Sequence, residues 1–359
     1  MKLNRTIFLT VAAAIIIGVF AGCSSDDDGG SPIPPPAPEP GGDLVDLPYE
    51  DPDGLTITER YEGYPKGVYV RSFETTFPEN RKVVGYYAVL DFVENPDLLF
   101  LPQFSTGKKP TKYFSDFLAE GADRPFLAVN GGFFVMTAKP RSYCLLISNG
   151  WLESRPDPYE WTGPSSSPYQ FFPVRGAIGR MADGKFETTW VYCVEDDAMR
   201  PYAFPSPLDN DERTATFMPA APTSKTPGAK LWEPQQAIGA GPMLVMDSLN
   251  VAEDSYYREV LHYMGQGING MGRRPRTALG TTRSRQRLVL LVCNGDKVQG
   301  SAGVTLPEMG DLLLRFGCVM AVNLDGGGSS AFVGREGTVL NGISAERTMP
   351  TAVICAEKK

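Results

Sequence analysis

Two glycine-rich segments carry the residues whose types and spacing are best suited to chemistry. They are Asn130-Gly131-Gly132-Phe133-Phe134 and Asn323-Leu324-Asp325-Gly326-Gly327-Gly328-Ser329-Ser330. Successive glycines let a ligand approach the main chain, and their backbone N–H groups can form a concavity that binds an anion. A carboxylate at the mouth of such a concavity, here Asp325, is suited to act on a bound anionic substrate. The alternative is two hairpin turns, because Asn-Gly and Asp-Gly are common turn dipeptides and recur elsewhere in this chain.

The single histidine, His262, limits the chemistry that these residues can perform. It excludes a metal centre with several histidines, and it leaves any Ser-His-Asp or Cys-His site dependent on that one residue. His262 falls in a predicted helix over residues 256–264, where a structural role is the better interpretation. Ser329 and Ser330 have no histidine motif to activate them as nucleophiles. Carboxylate chemistry is therefore the main candidate.

The elements that must position these residues are mostly short strands. Runs rich in β-branched, leucine and aromatic residues predict strands over residues 68–73, 83–92, 126–129, 288–293, 319–324 and 351–356. Helices are predicted over 111–120, before Gly121, and over 306–316, where Thr305 and Glu308 form a capping box before Gly317. Residues 155–173 and 201–227 are predicted to be long loops. We expect an α+β fold, a single domain with long loops in which a few helices pack on a mixed β-sheet core.

Five motifs occur in the order seen in phosphodiester glycosidases, and the chain resembles that family over roughly residues 65–356. The motifs are Asn-Gly-Gly-Phe-Phe at 130–134, Gly239-Ala240-Gly241-Pro242, Arg276-Thr277-Ala278-Leu279-Gly280, Gly303-Val304-Thr305-Leu306-Pro307-Glu308, and the block from Asn323 to Ser330. The resemblance implies hydrolysis of a sugar-1-phosphate diester at the anomeric carbon, which releases free sugar and a phosphomonoester. We expect a phosphorylated glycan or sugar-phosphate diester as the substrate.

The resemblance implies a set of site residues, and the chemistry of their side chains suits the hydrolysis of a sugar-1-phosphate diester. Asp325 would be the nucleophile or general base, because glycosidic cleavage generally uses carboxylates. Arg276 and Arg347 offer planar donors for phosphate oxygens. Arg276 and Glu308 are predicted to join Asp325 in catalysis, although the capping box is the better explanation of Glu308. The predicted substrate-binding residues are Asn130, Gly131, Gly132, Gly241, Asn323, Gly326, Gly327, Ser329 and Arg347.

Two other classes of function compete with this hypothesis. A non-catalytic glycan-binding lipoprotein would use aromatic residues such as Trp151, Tyr159, Trp161 and Tyr169 to stack on sugar rings. A metal-dependent phosphodiesterase would want a His and Asp ligand cluster, which the sequence lacks. We expect no cofactor and no metal site, and the sequence leaves open whether Ca²⁺ or Mg²⁺ binds.

The first 48 residues indicate export and attachment to a membrane. Residues 1–22 have a basic start and an apolar run typical of a lipoprotein signal peptide, and Phe20-Ala21-Gly22-Cys23 resembles a bacterial lipobox with Cys23 as the lipidated residue. Residues 23–48 are an acidic and proline-rich tether, and residues 49–359 are the catalytic domain. The predicted location is the bacterial cell envelope, at the outer membrane or cell surface, with membrane contact through the lipid anchor only.

Charge and cysteine content define the remaining expectations. The net charge is −8 with no basic stripe, so no nucleic-acid partner is expected, and we expect a monomer. Five cysteines lie beyond Cys23, all within apolar runs and none in a Cys-x-x-Cys pair, which favours buried thiols over a disulfide framework.

Overall fold

Short connections account for part of the architecture, because strands joined by tight turns pair antiparallel with their neighbours. The computed structural model describes residues 45–162, 168–260 and 269–359, with the side chains of 159–162 and 168–170 left out. One compact unit runs from Asp43 to Lys359. Asp46, which falls in the predicted tether, already accepts hydrogen bonds from the hydroxyls of Thr282 and Ser284.

The first strands, in chain order, are β1 (Thr56–Tyr61), β2 (Val68–Phe77), β3 (Arg81–Asp91), β4 (Leu98–Lys108), β5 (Arg124–Asn130), β6 (Phe134–Val135), β7 (Arg141–Ser142), β8 (Leu146–Ser148), β9 (Trp151–Ser154), β10 (Tyr159–Thr162), β11 (Pro168–Phe171) and β12 (Arg175–Arg180). The others are β13 (Phe186–Cys193), β14 (Pro201–Phe204), β15 (Lys230–Leu231), β16 (Gln236–Gly239), β17 (Met243–Met246), β18 (Leu249–Asn250), β19 (Arg276–Thr282), β20 (Arg287–Cys293), β21 (Cys318–Asn323), β22 (Phe332–Val333) and β23 (Met349–Glu357). All six predicted strands are confirmed. The predicted loop over residues 155–173 contains the hairpin of β10 and β11.

Three large sheets contain most of these strands. Their orders are β1-β2-β3-β20-β19-β21-β17-β18, β15-β14-β13-β12-β16-β8-β9 and β22-β5-β23-β4. Every pairing between the described strands is antiparallel. This differs from the predicted mixed sheet, which would also contain parallel pairs. Some paired strands are hairpins, and the others come from distant segments of the chain. In the four-stranded sheet β23 lies between β4 and β5, although β4 and β5 are neighbours in the sequence.

Helices are few, so the molecule is largely β. They are α1 (Pro110–Glu120), α2 (Ala252–Ser255), which continues as a π-helical turn over Tyr256–Val260, and α3 (Leu306–Arg315), with short 3₁₀ turns at Glu195–Asp197, Glu212–Thr214, Val298–Gly300 and Gly327–Ser329. The C-terminal end of α1 and the N-cap of α3 are as predicted: Gly121 follows α1 with a φ of 74°, and Thr305 caps α3 in the capping box. α1 begins one residue earlier than predicted, at Pro110, and α3 ends one residue earlier, at Arg315. These helices pack against strands, α1 on β5 and both α2 and α3 on β17.

The main hydrophobic core lies where the three large sheets face one another, with Leu90 of β3, Leu127 of β5 and Ile178 of β12 among its fully buried side chains. A second core packs Leu312 and Leu313 of α3 on the outer face of the eight-stranded sheet. The five cysteines at 144, 193, 293, 318 and 355 are buried free thiols, as predicted. Within the described residues, no helix combines the length and apolarity needed to cross a bilayer.

Candidate active site

The two glycine-rich segments meet because strands from two sheets end side by side. Asn130 is the last residue of β5, and Asn323 is the last residue of β21. The N–H of Asp325 donates to the carbonyl of Gly131 over 3.0 Å. The side-chain amide of Asn130 donates to the carbonyl of Asp325 over 2.8 Å. Arg276 begins β19, the neighbour of β21, so its side chain reaches the same place.

A cavity of about 270 Å³ opens at this junction. Six predicted site residues and four others line it: Asp325, Arg276, Asn323, Gly326, Gly327 and Arg347, with Phe133, Asn269, Arg274 and Gly328. Among the described lining residues Asp325 is the one carboxylate, and it faces three arginines. This combination is suited to an anionic substrate.

Asp325 is half-buried at the base of this cavity. Burial raises the pKa of its carboxyl to about 6, against hydrogen bonds from the Ser329 hydroxyl and the Gly326 N–H and the charges of Arg347 and Arg276. The Gly326 N–H donates to Oδ1 over 2.8 Å. A carboxyl with a pKa this close to neutrality can gain and lose a proton during turnover, as a general base does.

Backbone carbonyls hold the Arg276 guanidinium in place. Nη2 donates to the carbonyls of Asn269 and Gly272 over 2.7 Å each, and Nε donates to the carbonyl of Val304 over 3.1 Å. The side chain is 3% exposed, and desolvation lowers its pKa to about 10, so the group remains cationic at neutral pH. A fixed cation of this kind can bind phosphate with little loss of side-chain entropy.

Arg347 and Asp325 are connected through Ser329. Arg347 Nη1 donates to Ser329 Oγ over 3.1 Å, and the Ser329 hydroxyl in turn bonds to the Asp325 carboxylate. Ser329 is 1% exposed and is not among the lining residues, so the structure places it behind Asp325. Arg347 itself lines the cavity and is half-buried.

Asn323 lines the cavity and carries a buried acceptor that no described residue satisfies. Its Nδ2 donates to the carbonyl of Gly241 over 3.0 Å, whereas its Oδ1 is buried without a hydrogen-bond partner among the described residues. Leaving a buried oxygen unpaired costs about 1–3 kcal/mol, unless a ligand supplies the donor. A sugar hydroxyl would be such a donor.

The first glycine-rich segment supports the cavity from behind. Asn130 is fully buried, and its Oδ1 accepts from the Thr277 hydroxyl and the Ala331 N–H. The N–H groups of Gly131 and Gly132 are bonded to the carbonyl and the hydroxyl of Thr351. These three residues were predicted to bind substrate, but their polar groups are used within the protein. A Cβ at Gly131 would lie 2.2 Å from Thr351 Oγ1, so close packing is what requires this glycine.

The predicted backbone donors of the second segment are likewise occupied. The Gly326 N–H bonds to Asp325, and the Gly327 N–H donates to the carbonyl of Pro275 over 2.8 Å. Gly326 and Gly327 therefore shape the cavity wall, and the cations around it come from arginine side chains. Unlike Gly326 and Gly327, Gly241 does not line the cavity, and its carbonyl accepts a hydrogen bond from Asn323.

Glu308 lies away from the cavity lining, so the structure does not bring it to Asp325. Its Oε2 accepts from the Thr305 N–H in the capping box, and its Oε1 accepts from Arg81 over 2.6 Å. The pKa of Glu308 stays below its usual range despite partial burial, because these hydrogen bonds and the Arg81 charge favour the ionised form. The capping interpretation accounts for the Thr305 contact, and an ion pair with Arg81 occupies the other carboxylate oxygen.

Several residues of the site escaped the sequence analysis. Arg274 and Asn269 line the cavity, although the run Arg273-Arg274-Pro275-Arg276 has the pattern of a solvated charge cluster. Phe133 forms an apolar wall, and the buried guanidinium of Arg175 lies over its ring at 5.6 Å from the centroid. No local pattern identified Arg175 because it comes from β12, in a different sheet.

The described ranges contain no group of three His, Cys, Asp or Glu side chains placed to hold a metal ion. Two residues that the sequence analysis considered, Cys23 and His262, lie outside the described residues, as do the side chains of Tyr159, Trp161 and Tyr169.

The sheets and this cavity define a β-rich protein with a carboxylate and several arginines at the junction of its strands. The chain belongs to the phosphodiester glycosidase family, whose model matches residues 125–356, nearly two thirds of the sequence. The match includes every cavity-lining residue. No functionally curated protein matches the chain in sequence.

Solved structures support the fold. The catalytic domain of zebrafish N-acetylglucosamine-1-phosphodiester α-N-acetylglucosaminidase, auto-inhibited by its pro-peptide, matches with a TM-score of 0.51 and 16% identity, over 85% of this chain and 88% of that one. A Burkholderia pseudomallei protein described as exported matches with a TM-score of 0.50 and 15% identity, over 77% of this chain and 75% of that one. At these identities the likeness concerns the fold alone.

Proposed function

We propose that the protein hydrolyses a sugar-1-phosphate diester at the anomeric carbon and releases free sugar and a phosphomonoester. The observation that carries the proposal is the pairing of one carboxylate, Asp325, with the guanidinium groups of Arg276 and Arg347 in one cavity. Membership of the phosphodiester glycosidase family supports the same substrate class.

Each group has a role in this reaction. Arg276 and Arg347 bind the phosphate oxygens and stabilise the charge that develops as the bond from C1 to oxygen breaks. The electron pair of that bond leaves with the phosphate, which is already a good leaving group, so one carboxylate suffices. Asp325 either attacks C1 directly or removes a proton from the attacking water. Asn323 accepts a hydrogen bond from a sugar hydroxyl.

Hydrolysis in ¹⁸O-labelled water tests the proposal with a panel of sugar-1-phosphate methyl diesters. Cleavage at the anomeric carbon transfers the label to C1 of the sugar, and this is the result we expect. Label in the phosphate would contradict the proposal and indicate attack at phosphorus. Absence of turnover across the panel would contradict it in favour of glycan binding. Parallel assays with EDTA, Ca²⁺ and Mg²⁺ determine whether a divalent cation takes part.

We also propose that the enzyme acts at the cell envelope, attached through lipid on Cys23. The basic start, apolar run and small residues before Cys23 support this, and the proline-rich segment after it provides a spacer. Replacement of Cys23 by serine should release the protein from membranes or block its maturation. A C23S variant that fractionates with membranes as the wild type does would contradict lipidation.

A further inference from the structure

A buried carboxylate outside the cavity, that of Glu259, joins three separate segments of the chain. Glu259 lies in the π-helical turn Tyr256–Val260 and has no exposed surface. Its Oε1 accepts from Trp190 Nε1 over 2.6 Å and from the Met243 N–H over 2.9 Å, and its Oε2 accepts from the Gly176 N–H over 2.7 Å. One side chain therefore connects β12, β13 and the start of β17.

The Met243 end of this network continues to the cavity. Residues 241–243 form the turn that leads into β17. The backbone carbonyls of Gly241 and Pro242 both accept hydrogen bonds from Asn323. The Asn323 N–H donates to the carbonyl of Pro242 over 3.1 Å, and Asn323 Nδ2 donates to the carbonyl of Gly241 over 3.0 Å. The turn thus fixes both the main chain and the side-chain amide of Asn323, with Oδ1 as the remaining polar atom.

Glu259 packs directly against this turn. A Cβ added at Gly241 would lie 2.5 Å from Glu259 Oε2, so the carboxylate leaves no space for a side chain there. Gly241 also has a φ of 78°, in the left-handed region that favours glycine. Glu259 therefore fixes this turn in two ways: its Oε2 packs against Gly241, and its Oε1 accepts a hydrogen bond from the Met243 N–H.

The three N–H donors of this network are best satisfied by an ionised carboxylate. A carboxylate accepts all three N–H donors, whereas a glutamine would turn an NH₂ group toward at least one of them. Burial raises the pKa of Glu259 to about 7, and the nearby Arg175 charge opposes that rise. A neutral apolar core would be easier to build at this position, so the acid indicates a requirement beyond packing.

We propose that Glu259 is a positioning residue, which holds the turn at residues 241–243 so that Asn323 presents its Oδ1 to the substrate. This inference rests on the proposed function. Glu259 does not line the cavity and acts on the reaction through Asn323.

A double-mutant cycle tests the connection, because residues that act through one another do not have independent effects. The variants are E259Q, N323A and E259Q/N323A, each assayed for kcat/KM on the diester that the wild type hydrolyses. We expect E259Q to lower kcat/KM on the order of 10-fold and N323A to lower it further, with the double variant no worse than N323A alone. Losses that multiply, or an E259Q variant with wild-type kcat/KM, would overturn the proposal.

Two further variants separate a positioning role of Glu259 from a general loss of stability. Ile178→Val is the matched control, since Ile178 is fully buried on β12, the strand that contains Gly176, and it should keep wild-type kcat/KM. If E259Q does not fold, E259D replaces it, because aspartate keeps the charge on a side chain that is one methylene shorter. The kcat/KM of E259D/N323A is then expected to be no lower than that of N323A alone.

An inactive wild type would count against the proposed function and leave the positioning role open to a binding test. In that case the cycle is measured by calorimetry with glucose 1-phosphate. Weaker binding by E259Q, with no additional loss in the double variant, supports positioning. Equal affinities of wild type and E259Q contradict it.

Discussion

The side-chain amide of Asn130 donates to the backbone carbonyl of Asp325, with 2.8 Å between the nitrogen and the oxygen. This bond joins residues 195 positions apart in the sequence and fixes the strand end of one sheet against the loop that follows β21 in another. The carboxylate of Asp325 is therefore positioned by a residue that does not itself reach the cavity.

Replacement of Asn130 by alanine should weaken both the fold and catalysis. It leaves the Thr277 hydroxyl, the Ala331 N–H and the Asp325 carbonyl without their partner, so the free energy of unfolding should fall by about 3 kcal/mol. Urea denaturation measures that loss, and kcat should also fall. Asn210→Ala is the control, because Asn210 is equally buried but lies away from the cavity. Equal kcat values for the two variants would show that the bond does not position Asp325.

Replacement of Asp325 by asparagine should lower kcat by about 10²–10⁴-fold, because asparagine keeps the size of the side chain but is neither nucleophile nor base. Steady-state kinetics and circular dichroism separate this loss from misfolding. Asp183→Asn is the control, since Asp183 also precedes a glycine but lies in an exposed turn, and it should keep full activity. Near-normal turnover by D325N would reduce Asp325 to a turn residue.

The pH dependence of kcat/KM should reflect the ionisation of Asp325. Both proposed roles of Asp325 require its deprotonated form, and burial raises its pKa to about 6. Activity should therefore be full above pH 7 and should fall about tenfold for each pH unit below 6. An acid limb near pH 4, the range of an ordinary carboxyl, would contradict the assignment.

The same desolvation predicts that D325N is more stable than the wild type at neutral pH. The folded-state pKa is raised from 3.8 to about 6, so the protonated form is favoured on folding, and this stabilisation is complete below pH 3.8 and lost as pH rises through 6. Asparagine does not ionise, so D325N should gain up to about 3 kcal/mol over the wild type at pH 7.5 and nothing at pH 3.5. Urea denaturation at the two pH values measures the difference, and a gain that is independent of pH would refute this cause.

Replacement of Arg276 by lysine should raise KM about tenfold and lower kcat less than D325N does. Lysine keeps the charge but loses the planar guanidinium, which the carbonyls of Asn269 and Gly272 hold in place. The measurement is KM for the diester at two salt concentrations. Arg283→Lys is the control, because Arg283 is exposed on the surface and does not line the cavity. A KM unchanged by R276K would exclude Arg276 from phosphate binding.

Local sequence patterns predicted the parts of the fold that depend on local interactions. The strands that end at Asn130 and Asn323 are short apolar runs, and the capping box of α3 needs only Thr305 and Glu308. The strand order depends on pairings across long stretches of chain, so neither the antiparallel sheets nor the place of β23 could be predicted from periodicity.

In the candidate site too, residues marked by a local pattern could be predicted, and residues brought in by long-range contacts could not. Asp325 and Arg276 line the cavity because they follow or begin buried strands, where a pattern is visible. Glu259, in the π-helical turn, and Arg175, in β12 of another sheet, lie behind the site, and nothing in their own segments indicates it. Asn130 has the residue type of a ligand-binding group, but its bonds to Thr277 and Ala331 exist only in the folded chain.

The central place of β23 in the four-stranded sheet determines the order in which the candidate site can form during synthesis. A ribosome delivers β4 and β5 more than 200 residues before Met349–Glu357, the strand that separates them. Until that strand arrives, Gly131 and Gly132 lack Thr351, and the loop that contacts Asp325 has no anchor. The contact between the Gly131 loop and Asp325 is therefore supported only after the strand Met349–Glu357 has been made, so the candidate site forms late in synthesis.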